Sequence, residues 1–239
     1  MIKIAMNGGR SKADNPAIPV SVEEYAREIA WFMKQGVSMF HIHFRNAEGE
    51  ESLQQKEIEP QFRQLKERFP ACRIGIGSPL QNGMTAEKRH ELVAEWTWSP
   101  DFISLNLSEK GSLELVPVLR EKQIPIEFGI FSMQDAKAFV DNNLEPLAHR
   151  ALIEMVFASS PAQALADALE IENFLHSAYP GLELLFHAEN LPTWAVLARA
   201  RDQGKNWRIG LEDTLLLPDG RQADGNRELY LAALEVAPQ

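Results

Sequence analysis

Strand-like and helix-like segments alternate eight times from one end of this 239-residue chain to the other, and that alternation restricts the fold more than any other feature. Apolar, strand-forming runs fall at residues 2–7, 39–44, 73–77, 102–107, 125–129, 152–157, 183–187 and 207–211. Helical patterns separate them near 54–69, 85–96, 113–123, 133–142, 161–179 and 191–203, and a last one near 227–236 follows the eighth strand. Ser21 is placed to cap the first helix, with Glu24 three residues on as its capping-box partner. Several strands are nearly continuous apolar runs, the pattern of a parallel sheet covered by helices.

Eight βα units in succession point to an α/β protein built as a single (β/α)8 (TIM) barrel, with one domain over 1–239. Such barrels need roughly 250 residues, so a compact one fits. The rival is a doubly wound open sheet. It is disfavoured because Asn7-Gly-Gly-Arg10 lacks the third glycine of a dinucleotide loop and no helix follows at once. Polar residues also collect at the C-terminal ends of the strands: Asn7, His41, His43, Ser78, Asn106, Glu127, His187, Glu212 and Asp213. In a barrel those ends share one rim, where active sites sit.

Composition removes several function classes. A net charge of −10 argues against a nucleic-acid partner or an anionic membrane surface. The single cysteine, Cys72, excludes an internal disulfide and suits a reducing cytosol. No signal-peptide core and no apolar stretch of about 18 residues is present, so a cytoplasmic protein is expected.

His41 and His43 lie two apart in an apolar strand, which aims both imidazoles at one point. A lone imidazole at a strand end is ordinarily a hydrogen-bonded core group. Two on one face leave more polar nitrogens to satisfy and suit a divalent metal. Glu212, after the apolar Ile209-Gly-Leu211, is the best third ligand, because strands two and eight both flank strand one in a barrel. Asp213 and Asp14 are lesser ligand candidates. Asp213 is the natural general base, and Arg208 can stabilise the neighbouring carboxylates or grip a substrate carboxylate. Glu127 reads as a second acid/base or an arginine partner, and His187 as a structural group that can also reach ligand. His90, His149 and His176 fall on helical patterns and are expected to be solvated.

These motifs together resemble the β-keto acid cleavage enzymes. The matching pieces are Asn7-Gly-Gly, Pro16-Ala-Ile-Pro19-Val-Ser21-Val-Glu-Glu24, and His41-Ile-His43-Phe-Arg45 with Gly49. Met84-Thr-Ala-Glu-Lys-Arg89, Ser104-Leu105 and Arg208-Ile-Gly-Leu-Glu-Asp213 with Gly220 and Asn226 follow in order. The resemblance implies a Zn2+-dependent, homotetrameric (β/α)8 acyltransferase. It converts a β-keto acid plus acetyl-CoA into acetoacetate and a new CoA thioester. By position, His41, His43 and Glu212 match the zinc ligands, and Arg208 and Asp213 match the catalytic arginine and aspartate. Glu127 matches an acidic residue near the substrate, and Asn7, Arg10, Ser78 and Asn106 fall at substrate-binding positions.

The chain departs from the family pattern in places. Arg10 stands where a glutamate is common, which hints at an anionic substrate substituent. Gly77 stands in place of a serine, with Ser78 next in line. Two other readings stay open: a CoA-independent metal lyase or aldolase, and a catalytically silent barrel that binds a small carboxylate.

Overall fold

A computed structural model describes residues 1–80 and 83–236. Eight parallel strands close a barrel in the order β1 to β8, with β1 paired to both β2 and β8. The strands are β1 (Ile2–Ala5), β2 (Met39–Ile42), β3 (Arg73–Gly77), β4 (Phe102–Asn106), β5 (Ile126–Ile130), β6 (Ala148–Met155), β7 (Leu184–Ala188) and β8 (Asn206–Ile209). Each is followed by a helix: α1 (Val22–Lys34), α2 (Gln55–Arg68), α3 (Ala86–Ala94), α4 (Ser112–Glu121), α5 (Met133–Asp141), α6 (Pro161–Ala178), α7 (Thr193–Asp202) and α8 (Asn226–Glu235).

The helices pack because their apolar residues recur at helical spacing. In α1, Tyr25, Ala26, Ile29 and Phe32 are buried, and Phe32 meets Tyr230 of α8 edge-to-face at 5.5 Å. Each large apolar side chain buried in this shell stabilises the fold by roughly 1.5–3 kcal/mol. None of the described helices is long and apolar enough to cross a membrane.

α1 begins at the expected capping box. The Ser21 hydroxyl accepts from the Glu24 N–H, and the Glu24 carboxylate accepts from the Ser21 N–H at 3.1 Å. Burial opposes ionisation of Glu24, but hydrogen bonds from Lys12, the Val20 N–H and Ser21 outweigh it and hold its pKa at about 2. A depressed carboxylate stabilises the fold above its ordinary value of 4.5, and that contribution is lost as pH falls through about 2. Glu24→Gln is therefore expected to lose about 1 kcal/mol at pH 7. In urea titrations the gap from the parent should close between pH 4.5 and about 2; a gap constant over that range would count against it.

The barrel interior departs from the usual aliphatic filling. Lys3, Glu127 and Arg150 are all buried within it. Lys3 pairs directly with Glu127, and Arg150 lies 3.6 Å from the other Glu127 oxygen. Burial alone would keep Glu127 protonated, yet Lys3 and Arg150 hold it ionised, with a pKa of about 2. This ion network explains why β6 starts at Ala148 rather than at 152 as the apolar run suggests. Arg150 turns inward beside Glu127, its register partner on β5. His149 is accordingly a strand residue beside Phe102, at 5.6 Å, and not a helical surface group.

Candidate active site

β2 ends at Ile42, and His43 continues its direction one residue beyond. The two imidazoles therefore face the same way, with their Nε2 atoms 3.0 Å apart. Glu212 comes from the turn after β8. Its Oε1 lies 3.5 Å from His41 Nε2 and 3.6 Å from His43 Nε2. A tetrahedral ion with ligands at about 2.0–2.1 Å requires ligand atoms about 3.3 Å from one another. The three side chains fit a divalent metal on that test, and they form a cluster whose ligand atoms all lie within 4.8 Å. Glu212 Oε2 is buried without a hydrogen-bond partner, a further acceptor for a cation.

Two glycines make room for this convergence. Gly77, at the end of β3, lies where any Cβ would collide with the His43 ring. Gly8 holds φ at +53°, and a side chain there would strike Glu212. The backbone is pinned as well. Asn7, fully buried, donates to the His43 carbonyl at 2.8 Å and accepts from the His43 N–H at 3.0 Å.

The far side of each ligand is also engaged. Ser104 donates to Glu127 at 3.0 Å, which leaves its oxygen facing His41 Nδ1 at 3.4 Å. That arrangement favours the proton on Nδ1 and a lone pair on Nε2. Burial pushes His41 well below its ordinary pKa, more strongly than Glu212 raises it. Burial works against charging His43 too, but Glu51 and Glu212 overcome it and raise His43 to about 10.

Arg208, buried on β8, organises the remaining charges. Its Nη2 donates to Glu212 Oε1 and to Asp213 Oδ1, both at 2.7 Å, and its Nε donates to Asp213 Oδ1 at 3.0 Å. Burial opposes ionisation of Glu212 and Asp213, and Arg208 is the main force that keeps both below the carboxylate range. His187 Nδ1 stands 3.3 Å from Asp213 Oδ1, and its Nε2 is 2.8 Å from Glu154 on β6. Burial and Arg208 resist charging of His187, but Asp213 and Glu154 raise it to about 9. Asp213 Oδ2 is left buried and unpartnered.

A cavity of about 560 Å³ opens above this cluster, lined by His41, His43, Ser78, Asn106, Arg208 and Glu212 among others. The other expected site residues lie outside its lining. Asn7 spends its amide on the His43 backbone, and Glu127 lies below, in the ion network. Asp213 is enclosed behind Arg208. Arg10 donates to the Glu212 carbonyl at 3.3 Å and to Asn190 at 3.1 Å, and it lines a separate apolar groove. Arg10 is thus absent from the lining of the cavity above the triad.

Three carboxylates in the cavity wall, Glu109, Glu154 and Glu189, escaped the sequence reading. Glu154 interrupts an apolar strand, Ala151-Leu-Ile-Glu-Met155, and that interruption was the available signal. Glu189 follows β7 in a loop and carried none. Burial raises Glu189 to about 7.

A closed (β/α)8 barrel whose rim gathers a triad that could hold a metal, beside a buried Arg–Asp pair, has the layout of a barrel enzyme's active face. The beta-keto acid cleavage enzyme family model matches residues 1–239, and the chain belongs to that family of enzymes that cleave β-keto acids. It is 23% identical over 249 residues to a 3-keto-5-aminohexanoate cleavage enzyme of Fusobacterium nucleatum, covering 96% of this chain and 87% of that one. Identity to the enzyme of the same name from Acetoanaerobium sticklandii is also 23%, over 96% of this chain and 88% of that protein. Among solved structures, ObcA in binary complex with oxaloacetate superposes with a TM-score of 0.70 at 14% identity. That match covers 92% of this chain and 63% of the ObcA chain, so the present chain spans less than two thirds of ObcA's length.

Proposed function

We propose that this protein is a zinc-dependent acyltransferase that cleaves a β-keto acid with acetyl-CoA, releasing acetoacetate and a new CoA thioester. The observation that carries this reading is the triad of His41, His43 and Glu212 at the floor of the cavity, with Arg208 bridging Glu212 to Asp213. Two imidazoles and one carboxylate are a catalytic zinc donor set, which keeps a position open. When bound, the metal supplies Lewis-acid stabilisation of negative charge on a keto oxygen, worth several kcal/mol.

The protein's own residues supply the rest. Asp213 is the base in this reading: Arg208 binds its Oδ1 and leaves Oδ2 unpartnered, and the Arg208 side chain that encloses it must shift to bring that oxygen to the C2 proton. The C–H electron pair becomes the enolate, whose carbon attacks the thioester carbonyl. The CoA thiolate leaves, adds to the former ketone carbon, and the C2–C3 bond breaks to release the new thioester and the enolate of acetoacetate, which takes back the proton held by Asp213. Ser78 and Asn106 line the cavity where they can orient the substrate, whereas Asn7 and Glu127 act through the histidines they support. A cytoplasmic homo-oligomer belongs to the same reading, on the family resemblance.

The test is a panel of β-keto acids on zinc-loaded protein, with and without acetyl-CoA and with products identified by mass. Acetoacetate and a new thioester formed only when acetyl-CoA is present are expected. Cleavage without the thioester would replace this reading with a lyase, and no cleavage at all would leave a binding barrel.

A further inference from the structure

The loop after β2 folds back on itself in a way the metal triad alone does not require. The Asn46 side chain accepts from the Glu48 and Glu50 N–H groups at 3.1 and 2.9 Å, and Asn46 N–H donates to the Glu50 carbonyl at 2.8 Å. Gly49, at φ +84°, provides the reversal. Arg45 and Glu51 then pair as an antiparallel bridge, and Ser52 N–H reaches back to the Phe44 carbonyl at 3.1 Å. The result delivers the Glu51 carboxylate to the edge of His43 that faces away from the triad. Glu51 Oε1 sits 2.5 Å from His43 Nδ1. Arg45 Nη1 lies 3.8 Å from the other Glu51 oxygen, while Arg45 Nη2 is tied to the Gly8 and Arg10 carbonyls. The Glu51 side chain is only 9% exposed.

We propose that Glu51 is a positioning residue of the metal centre: it accepts a hydrogen bond from the His43 Nδ1–H, fixes that tautomer and ring orientation, and raises the donor strength of Nε2. This rests on the metal reading above and extends it to a residue outside the ligand set. The chemistry is that of a carboxylate–histidine–metal relay, in which the outer carboxylate decides which ring nitrogen keeps its lone pair. The two histidines are backed unequally. His43 has a carboxylate in direct contact, whereas His41 reaches Glu127 only through the Ser104 hydroxyl. Loss of Glu51 should therefore weaken metal binding without disturbing the Lys3–Glu127 network inside the barrel.

The experiment compares parent, Glu51→Gln, Glu51→Leu and the exposed control Glu50→Gln by competition for Zn2+ against a chromophoric chelator. Glu51→Gln keeps shape and an acceptor oxygen but not charge, so about a 10-fold loss of affinity is expected, and up to about 100-fold for Glu51→Leu. The control should match the parent. On Co2+-loaded protein the visible absorption bands should shift in both Glu51 variants, a change that a purely structural role would not produce. The strongly downfield Nδ1 proton of His43 should be present in the parent and absent in Glu51→Gln, a comparison that holds even if Glu51→Leu fails to fold. Affinities of the Glu51 variants within twofold of the parent, with unchanged Co2+ bands, would overturn the role of Glu51 while leaving the metal site standing. A parent that takes up neither ion would instead overturn the metal reading and this inference with it.

Discussion

Replacing Arg208 with methionine is expected to destabilise the metal-free protein by about 3–5 kcal/mol, the usual cost of removing one member of a buried ion pair. The reason is the number of charges that depend on one guanidinium. Glu212 and Asp213 are both buried or nearly so, and both accept from Arg208 at 2.7 Å. Without it, burial pushes both carboxyls back towards their protonated forms, and His187, although relieved of repulsion from Arg208, remains as a cationic partner of Asp213. A divalent ion on the triad compensates Glu212 but not Asp213. Added Zn2+ should therefore recover only part of the loss, which guanidinium titrations with and without the ion will measure. Turnover should fall by at least about 100-fold, as for loss of a preorganised donor at a reacting centre. A stability change below about 1 kcal/mol would mean that these carboxylates are not held by Arg208 in solution.

The parts of the molecule that were legible in the sequence are those fixed by period and spacing. The eightfold alternation is the barrel, and the two-residue spacing of His41 and His43 places both on one face. Glu212 joins them because β8 and β2 both flank β1, a consequence of closure rather than of local sequence. What stayed hidden is side-chain direction at polar positions. Asn7 and Arg10 follow the C-terminal end of β1, where a substrate contact is a fair expectation. Glu127, expected at such an end too, is the second residue of β5 and lies towards the opposite end of the barrel. Each is instead satisfied by the protein: Asn7 by the His43 backbone, Arg10 by Asn190 and the Glu212 carbonyl, Glu127 by Lys3 and Ser104. Buried polar groups must find partners, and partners over 100 residues away, as for Lys3 and Glu127, leave no local trace. Arg150 likewise lies outside the apolar run that marks β6, and its place beside Glu127 comes from barrel closure.

The same logic makes Gly77 a sensitive position in the cavity wall. β3 brings it against the face of the His43 imidazole, and an added methyl would overlap Nε2, Cε1 and Cδ2 of that ring. The ring cannot simply rotate. Its Nδ1 is anchored to Glu51 at 2.5 Å, and its backbone N–H and carbonyl are both held by Asn7. Nor can β3 retreat, because Gly77 is in register with Ser104 on β4, and β3 also pairs with β2. Gly77→Ala should therefore cost about 1–3 kcal/mol through overpacking. The larger effect falls on the metal, because relief of the overlap displaces the His43 ring, and with it Nε2, from the triad. Displacing a ligand should cost no less than losing its outer-sphere partner, so Zn2+ affinity is expected to drop by at least about 100-fold. Gly181→Ala is the matched control, because a methyl there meets no atom within 4 Å and its backbone needs no positive φ. That variant should keep both stability and metal affinity. If Gly77→Ala binds Zn2+ as tightly as the parent, His43 does not hold its ligand position through the constraints described, and β3 is free to move away from it.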